Sequence, residues 1–158
     1  VALAYPEVDL TDGAVLLRRW RDDDLDCVRA AAQDPRISES TTVPAPFSVG
    51  AGRAFLRRQW SRADNGEGLS LAIAWLIPSA RGRGLATRAA GLVAEWALDV
   101  AGIVRVEAWV EPDNLASQRV LTAAAFEREG VLRSFLVFPG RRADAVVFSA
   151  VRETCLPR

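Results

Sequence analysis

Pro78-Ser79-Ala80-Arg81-Gly82-Arg83-Gly84-Leu85-Ala86-Thr87 lies between an apolar run, Leu69 to Ile77, and a segment in which Leu85, Ala89, Leu92, Val93, Trp96, Ala97 and Val100 recur at helical spacing. A strand, a glycine-rich turn and an amphipathic helix in that order define an α/β unit. The glycines let backbone approach a ligand closely, and the arginines supply positive charge. The helix that follows opens with unpaired N–H groups and the positive end of its dipole, a combination that suits a pyrophosphate. Two common glycine-loop chemistries do not fit. The dinucleotide fingerprint G-x-G-x-x-G meets Thr87 where its third glycine should stand, and no lysine follows these glycines as a Walker loop requires. A plain structural turn with exposed arginines is the competing reading.

Outward from this stretch, strands and helices alternate. Toward the N-terminus, Val15 to Trp20 reads as a strand, and Asp22-Asp23-Asp24 opens a helix running to about Gln33. Pro35, Pro44 and Pro46 predict a loop, Ser48 caps a second helix with Phe55, Leu56 and Trp60 on one face, and Asp64 to Gly68 is a turn. Toward the C-terminus, Gly102 stops the long helix, Ile103 to Val110 forms a strand, and Pro112-Asp113-Asn114 opens another helix carrying Val120, Leu121 and Ala124 inward. Val131 to Phe138 and Ala143 to Val151 are strands joined by the hairpin turn Pro139-Gly140-Arg141-Arg142. The tryptophans Trp20, Trp60, Trp75, Trp96 and Trp109 fall on apolar stretches without a basic stripe between them, which predicts core positions.

Composition bounds the chemistry. The chain has 158 residues, half of them hydrophobic, enough for one domain with a proper core. Twenty basic residues balance twenty acidic ones, so no global field favours nucleic acid or an anionic membrane, and neither is expected as a partner. The sequence contains no histidine, which removes the commonest general base and the commonest metal ligand. Carboxylates, hydroxyls and backbone must then carry any catalysis, with no metal. Cys27 and Cys155, with no leader segment or membrane span in view, predict reduced thiols and a cytoplasmic location.

Arg81-x-x-Gly84-x-Ala86 resembles the Arg/Gln-x-x-Gly-x-Gly/Ala signature of the GNAT superfamily of N-acetyltransferases. Downstream, Asn114-Leu115-Ala116-Ser117 with Ala125-Phe126 is similar to the family's second landmark, an Asn-x-x-Ala/Ser helix ending in Gly-Phe. The nearest resemblance is to the Rim-type branch, the ribosomal-protein N-acetyltransferases, and it extends to Leu17-Arg18-Arg19-Trp20, Asp34-Pro35, Leu132-Arg133 and Gly140-Arg141-Arg142-x-Asp144.

The resemblance implies an α/β (α+β) GNAT fold, a mixed and mostly antiparallel twisted sheet with helices on both faces and a V-shaped splay between central strands. It implies acetyl-CoA as co-substrate, its pyrophosphate on the backbone of Arg81, Gly82, Arg83, Gly84, Leu85, Ala86 and Thr87, and its pantetheine paired with backbone near Leu76 and Ile77. Asn114 matches the residue that binds the pantetheine arm. Ser117 matches the branch residue that protonates the departing thiolate, and the tyrosine used by other branches is Leu121 here. For the base that keeps the attacking amine neutral, Glu107 is the first choice. A carboxylate amid Val104, Val106, Ala108 and Val110 would be desolvated and so more basic; Glu111 stands close behind. The expected acceptor is a protein N-terminal α-amine, then a small-molecule amine such as an antibiotic or polyamine; a non-catalytic acyl-CoA-binding module is the alternative, and the protein is a monomer or homodimer.

Two departures stand out. The family places three strands between the second helix and the glycine loop, and residues 61–77 cannot hold them, so residues 1–158 are expected to form a single GNAT domain lacking a segment near Ala74/Trp75. Ala125 replaces the usual glycine, which is tolerable if it keeps a negative φ.

Overall fold

The computed structural model describes residues 4–75, 84–138 and 140–152. Its elements are β1 (Leu10–Thr11), β2 (Val15–Arg19), a 3-10 turn (Asp22–Asp24), α1 (Leu25–Ala31), α2 (Pro35–Ser40), α3 (Val49–Asp64), β3 (Leu71–Trp75), α4 (Leu85–Glu95), a π turn (Trp96–Val100), β4 (Arg105–Val110), α5 (Leu115–Ala123), β5 (Glu127–Phe138) and β6 (Arg141–Val151). Hydrogen bonding arranges the strands as two three-stranded sheets, β1-β2-β3 and β4-β6-β5. Strand β3 runs through the Ala74/Trp75 step. The chain separates into two compact units, residues 1–9 with 17–73 and residues 10–16 with 74–158.

The first unit is built on aromatic packing between helices. Val28, Phe55 and Leu56 form its core, with Trp20, Leu25, Phe47 and Trp60 around them. Trp20 meets Phe55 edge-on at 5.4 Å, and its indole N–H donates to Ser70 Oγ at 3.1 Å. The Trp60 indole donates to the Trp20 carbonyl at 2.8 Å, so both polar edges are satisfied as burial requires. Asp24 accepts a bidentate pair from Arg18, at 2.8 and 2.7 Å, and the Arg21 amide at 2.8 Å. The Arg18 hydrogen bond holds the Asp24 carboxyl below its ordinary range. Ser48 caps α3 as expected, its Oγ accepting from the Ala51 amide at 3.1 Å. The proline stretch differs from expectation: Pro35 begins the short helix α2, because proline suits a first helical turn whose amides lack partners anyway.

The second unit places α4 and α5 on one face of the β4-β6-β5 sheet. Ala94, Val110, Leu121, Phe126, Val146 and Phe148 are its buried cluster. Both sheet pairings are antiparallel, with Ala108 opposite Phe148 and Val131 opposite Val146. The terminal strands reach further than the sequence suggests: Phe138 pairs with Arg141, which the sequence placed in the turn, and Gly140 adopts φ +76°. Strand β5 shifts register between Arg128 and Gly130 and again between Leu132 and Leu136.

Ala125 contradicts the expectation of a negative φ. It sits at φ +63°, immediately after α5. The Phe126 amide reaches the Leu121 carbonyl at 3.0 Å and the Ala125 amide reaches that of Thr122 at 3.2 Å. These are the two bonds of a Schellman ending, which needs its pivot residue in the left-handed region. Phe126 and Leu121 close the motif with an apolar contact in the core.

Candidate functional site

Gly84 is the pivot from which α4 starts. It adopts φ +68°, ψ +19°, a left-handed conformation that any β-carbon would strain. Its carbonyl accepts the first helical bond, from the Arg88 amide at 3.0 Å, and helix geometry leaves the amides of Leu85, Ala86 and Thr87 without intrahelical partners. Leu85 and Ala89 are buried beneath, while Thr87 is half-buried and Ala86 exposed. Leu76, Ile77, Arg81, Gly82 and Arg83 lie outside the described residues.

The charge beside this helix start is organised by Asp12. Asp12 Oδ1 accepts from the amides of Ala14 and Val15 at 3.0 Å each, and Oδ2 accepts from Arg88 Nε. The Arg88 bond, then the two backbone bonds, pull the Asp12 carboxyl down to about 2. Arg88 therefore enters the site with its Nε edge committed and its two terminal nitrogens unengaged among the described residues.

Helix α5 begins at Asn114, whose side-chain oxygen accepts from the Ser117 amide at 3.1 Å. That leaves the Asn114 amide nitrogen as an exposed donor. Ser117 is half-buried, and its hydroxyl makes no hydrogen bond among the described residues, so it is available to donate. Helices α4 and α5 pack against one another, which brings Gly84–Thr87 and Asn114–Ser117 onto neighbouring supports.

Glu107 is placed elsewhere. Along β4, Val106, Ala108 and Val110 face the buried cluster, so Arg105, Glu107 and Trp109 take the opposite face of the strand. Glu107 is not enclosed by its apolar sequence neighbours; its side chain is 37% exposed and pairs with Arg105 Nε at 2.6 Å. Trp109, expected in the core, is 50% exposed on that same face. Glu111 is bonded to Arg141 at 2.6 and 3.0 Å, which holds its carboxyl below the usual range and makes it a weak base.

Sequence reasoning missed a cavity of about 420 Å³ along α5, lined by Gln118, Arg119, Thr122 and Arg128 over Leu115 and Phe148. Neither arginine has an anionic partner among the described residues. The signal was present: α5 contains Arg119 but no aspartate or glutamate to pair with it. Two unpaired guanidinium groups beside a cavity suit a phosphate. Among the described residues no His, Cys, Asp and Glu group is arranged to hold a metal ion, and no helix is long and apolar enough to cross a membrane.

Residues 72–127 match the acetyltransferase (GNAT) domain. An uncharacterized N-acetyltransferase p20 of Bacillus licheniformis is 32% identical over 71 residues, 45% of this chain and 40% of that protein. The match thus spans about two fifths of that relative's length. Among solved structures, Mycobacterium smegmatis RimJ in complex with CoA-disulfide superposes with a TM-score of 0.74 at 22% identity, covering 96% of this chain and 88% of that one. The microcin C7 self-immunity acetyltransferase MccE, in complex with acetyl-CoA and AMP, also gives 0.74, at 19% identity over 90% of this chain and 94% of that one.

Proposed function

We propose that this chain, which has the fold of GNAT acetyltransferases and whose residues 72–127 match the acetyltransferase (GNAT) domain, transfers an acetyl group from acetyl-CoA to a primary amine. The observation that carries this reading is the left-handed Gly84 opening α4, which leaves three first-turn amides for a diphosphate. Those amides, with residues 81–83, hold the pyrophosphate, and Arg88, its charge balanced by Asp12, offers its terminal N–H groups. Asn114 donates its amide nitrogen to the pantetheine arm. The arginines of the α5 cavity, without an anionic partner among the described residues, suit a further phosphate of the coenzyme.

In the reaction the neutral amine nitrogen attacks the thioester carbonyl carbon, the carbon–sulfur bond breaks, and the sulfur leaves with the electron pair. Ser117 protonates that thiolate through its unengaged hydroxyl and regains a proton from solvent, which makes departure easier. Glu107 is the group we assign to take the proton that the amine gives up; because it stands on the sheet face away from α4 and α5, that proton reaches it through intervening water. The acceptor we favour is a protein N-terminal α-amine, in keeping with the Rim-type motifs. A small-molecule amine is the second reading, favoured by the likeness to MccE, whose structure carries AMP.

A thiol-release assay with acetyl-CoA over N-terminal peptides and small amines tests this reading. Release with one acceptor class supports it, and tight coenzyme binding with no release over the whole panel overturns it in favour of a non-catalytic acyl-CoA-binding module. Ser117→Ala should lower turnover by about 10²-fold with little change in coenzyme affinity. Unchanged turnover would sink Ser117 as the acid.

A further inference from the structure

The face of the second sheet turned away from α4 and α5 carries a cavity of about 490 Å³, within the range of small-molecule sites. Its walls are apolar: Trp109 and Phe135 meet edge-to-face with ring centroids 5.0 Å apart, beside Val131 and Leu132. These four side chains are 42% to 50% exposed, a contiguous apolar patch of the kind soluble proteins keep for binding.

One end of the cavity is charged. Arg105 bonds Glu107 through Nε at 2.6 Å and Glu129 through its two terminal nitrogens at 2.8 and 2.5 Å. Ser149 also donates to Glu129 at 2.7 Å. Arg105 first, then Ser149, bring the Glu129 carboxyl down to about 2, so it stays an anion at neutral pH. Two carboxylates share one guanidinium, and the group carries a net charge of −1. Both oxygens of Glu129 accept at least one bond, whereas Glu107 keeps one carboxylate oxygen without a partner among the described residues.

We propose that this cavity binds a cationic primary amine bearing an apolar, preferably aromatic, group. The ammonium meets the spare oxygen of Glu107 and the face of Trp109, and the apolar group lies between Trp109, Phe135 and Leu132. An anionic ligand of the same shape meets an excess negative charge and is excluded. That this amine is the acetyl acceptor rests on the activity proposed above; the binding does not. For an N-terminal peptide, the same chemistry selects an apolar first residue.

Isothermal titration of the chain with phenethylamine, without coenzyme, tests the site, using 3-phenylpropionate and ethylamine as the anionic and the truncated counterparts. Saturable binding of phenethylamine is expected, with both counterparts at least about tenfold weaker. Glu107→Gln and Trp109→Leu, each checked for a native circular dichroism spectrum, should each weaken phenethylamine binding by about tenfold. No saturable binding, equal binding of the acid, or unaffected binding by both variants overturns the proposal. Thiol release measured on the same amine separates the two readings. Binding without acetylation removes the acceptor assignment and keeps the site, while acetylation of other amines without phenethylamine binding removes the site and keeps the activity.

Discussion

Ala125→Gly should stabilise this protein, although it deletes a methyl group and adds none. Ala125 sits at φ +63°, fixed there by the two backbone bonds that close α5 and by the contact of Phe126 with Leu121. An L-residue with a β-carbon pays roughly 1–2 kcal/mol in that region, because the β-carbon crowds the following carbonyl oxygen. Glycine removes this cost and adds unfolded-state freedom worth about 0.4–1 kcal/mol in the opposite direction. The net gain is about 0.5–1 kcal/mol, which for a chain of this size raises the melting temperature by about 1–4 °C. Ala125→Val should move the other way by more than 1 kcal/mol or so, since a β-branched side chain tolerates positive φ least. Scanning calorimetry or thermal circular dichroism at neutral pH reads both. A glycine variant melting at or below the parent, together with a valine variant melting level with it, would refute a left-handed Ala125.

Gly52→Ala should destabilise the first unit, against the helix preference of alanine. A β-carbon at Gly52 would lie 2.6 Å from Leu25 Cδ1 and 2.8 and 3.1 Å from two atoms of the Phe47 ring. The Leu25 methyl can rotate away but the ring must shift as a body, so a loss of about 1–3 kcal/mol in urea unfolding is expected, and a gain would show the packing to be looser. Acid titration should expose Asp12 and Glu129, whose folded carboxyls are brought to about 2 from ordinary values of 3.8 and 4.5. A depressed folded pKa contributes stability that is fully present above the ordinary value and is lost as pH falls toward 2. Asp12→Asn and Glu129→Gln should therefore flatten the fall of unfolding free energy between about pH 4.5 and 2; curves parallel to the parent would contradict these pairings.

Much of the second unit was legible because its helices are strongly periodic and their ends carry recognisable residues. Leu85, Ala89 and Ala97 are buried as the helical spacing implies and Asn114 caps α5, whereas Val100 is exposed at the end of a π turn that replaces the last turns of the expected helix. Ser48 was equally plain in the first unit. What stayed hidden depends on partners distant in sequence. Pro35 was read as a breaker, yet at a first helical position its missing amide costs nothing. Ala125 looked harmless because an alanine gives no sign of its φ; the sign lay in the bonds that Leu121 and Thr122 make around it. Of the arginines beside the α5 cavity, Arg119 was visible only as an absence of acids on its helix, and Arg128 on β5, between Glu127 and Glu129, gave no sign.

Glu107 shows the same limit in its most consequential form. Its neighbours along the chain, Val106 and Ala108, lie on the far side of the strand and cannot desolvate it. Its actual company is Arg105, two residues along on its own face, with Glu129 and Ser149 brought in by β5 and β6; Ser149 stands directly opposite it in the ladder. A carboxylate in that company is only partly screened from water by the protein, its side chain being 37% exposed. An amine docked against Trp109 would shield Glu107 from water and bring the proton to be moved within reach of its spare oxygen. The cationic-amine cavity and the proposal of Glu107 as base thus meet at one side chain, although the binding and the acetylation are tested separately, because the aromatic wall that would select the amine stands beside the carboxylate on the same face of the sheet.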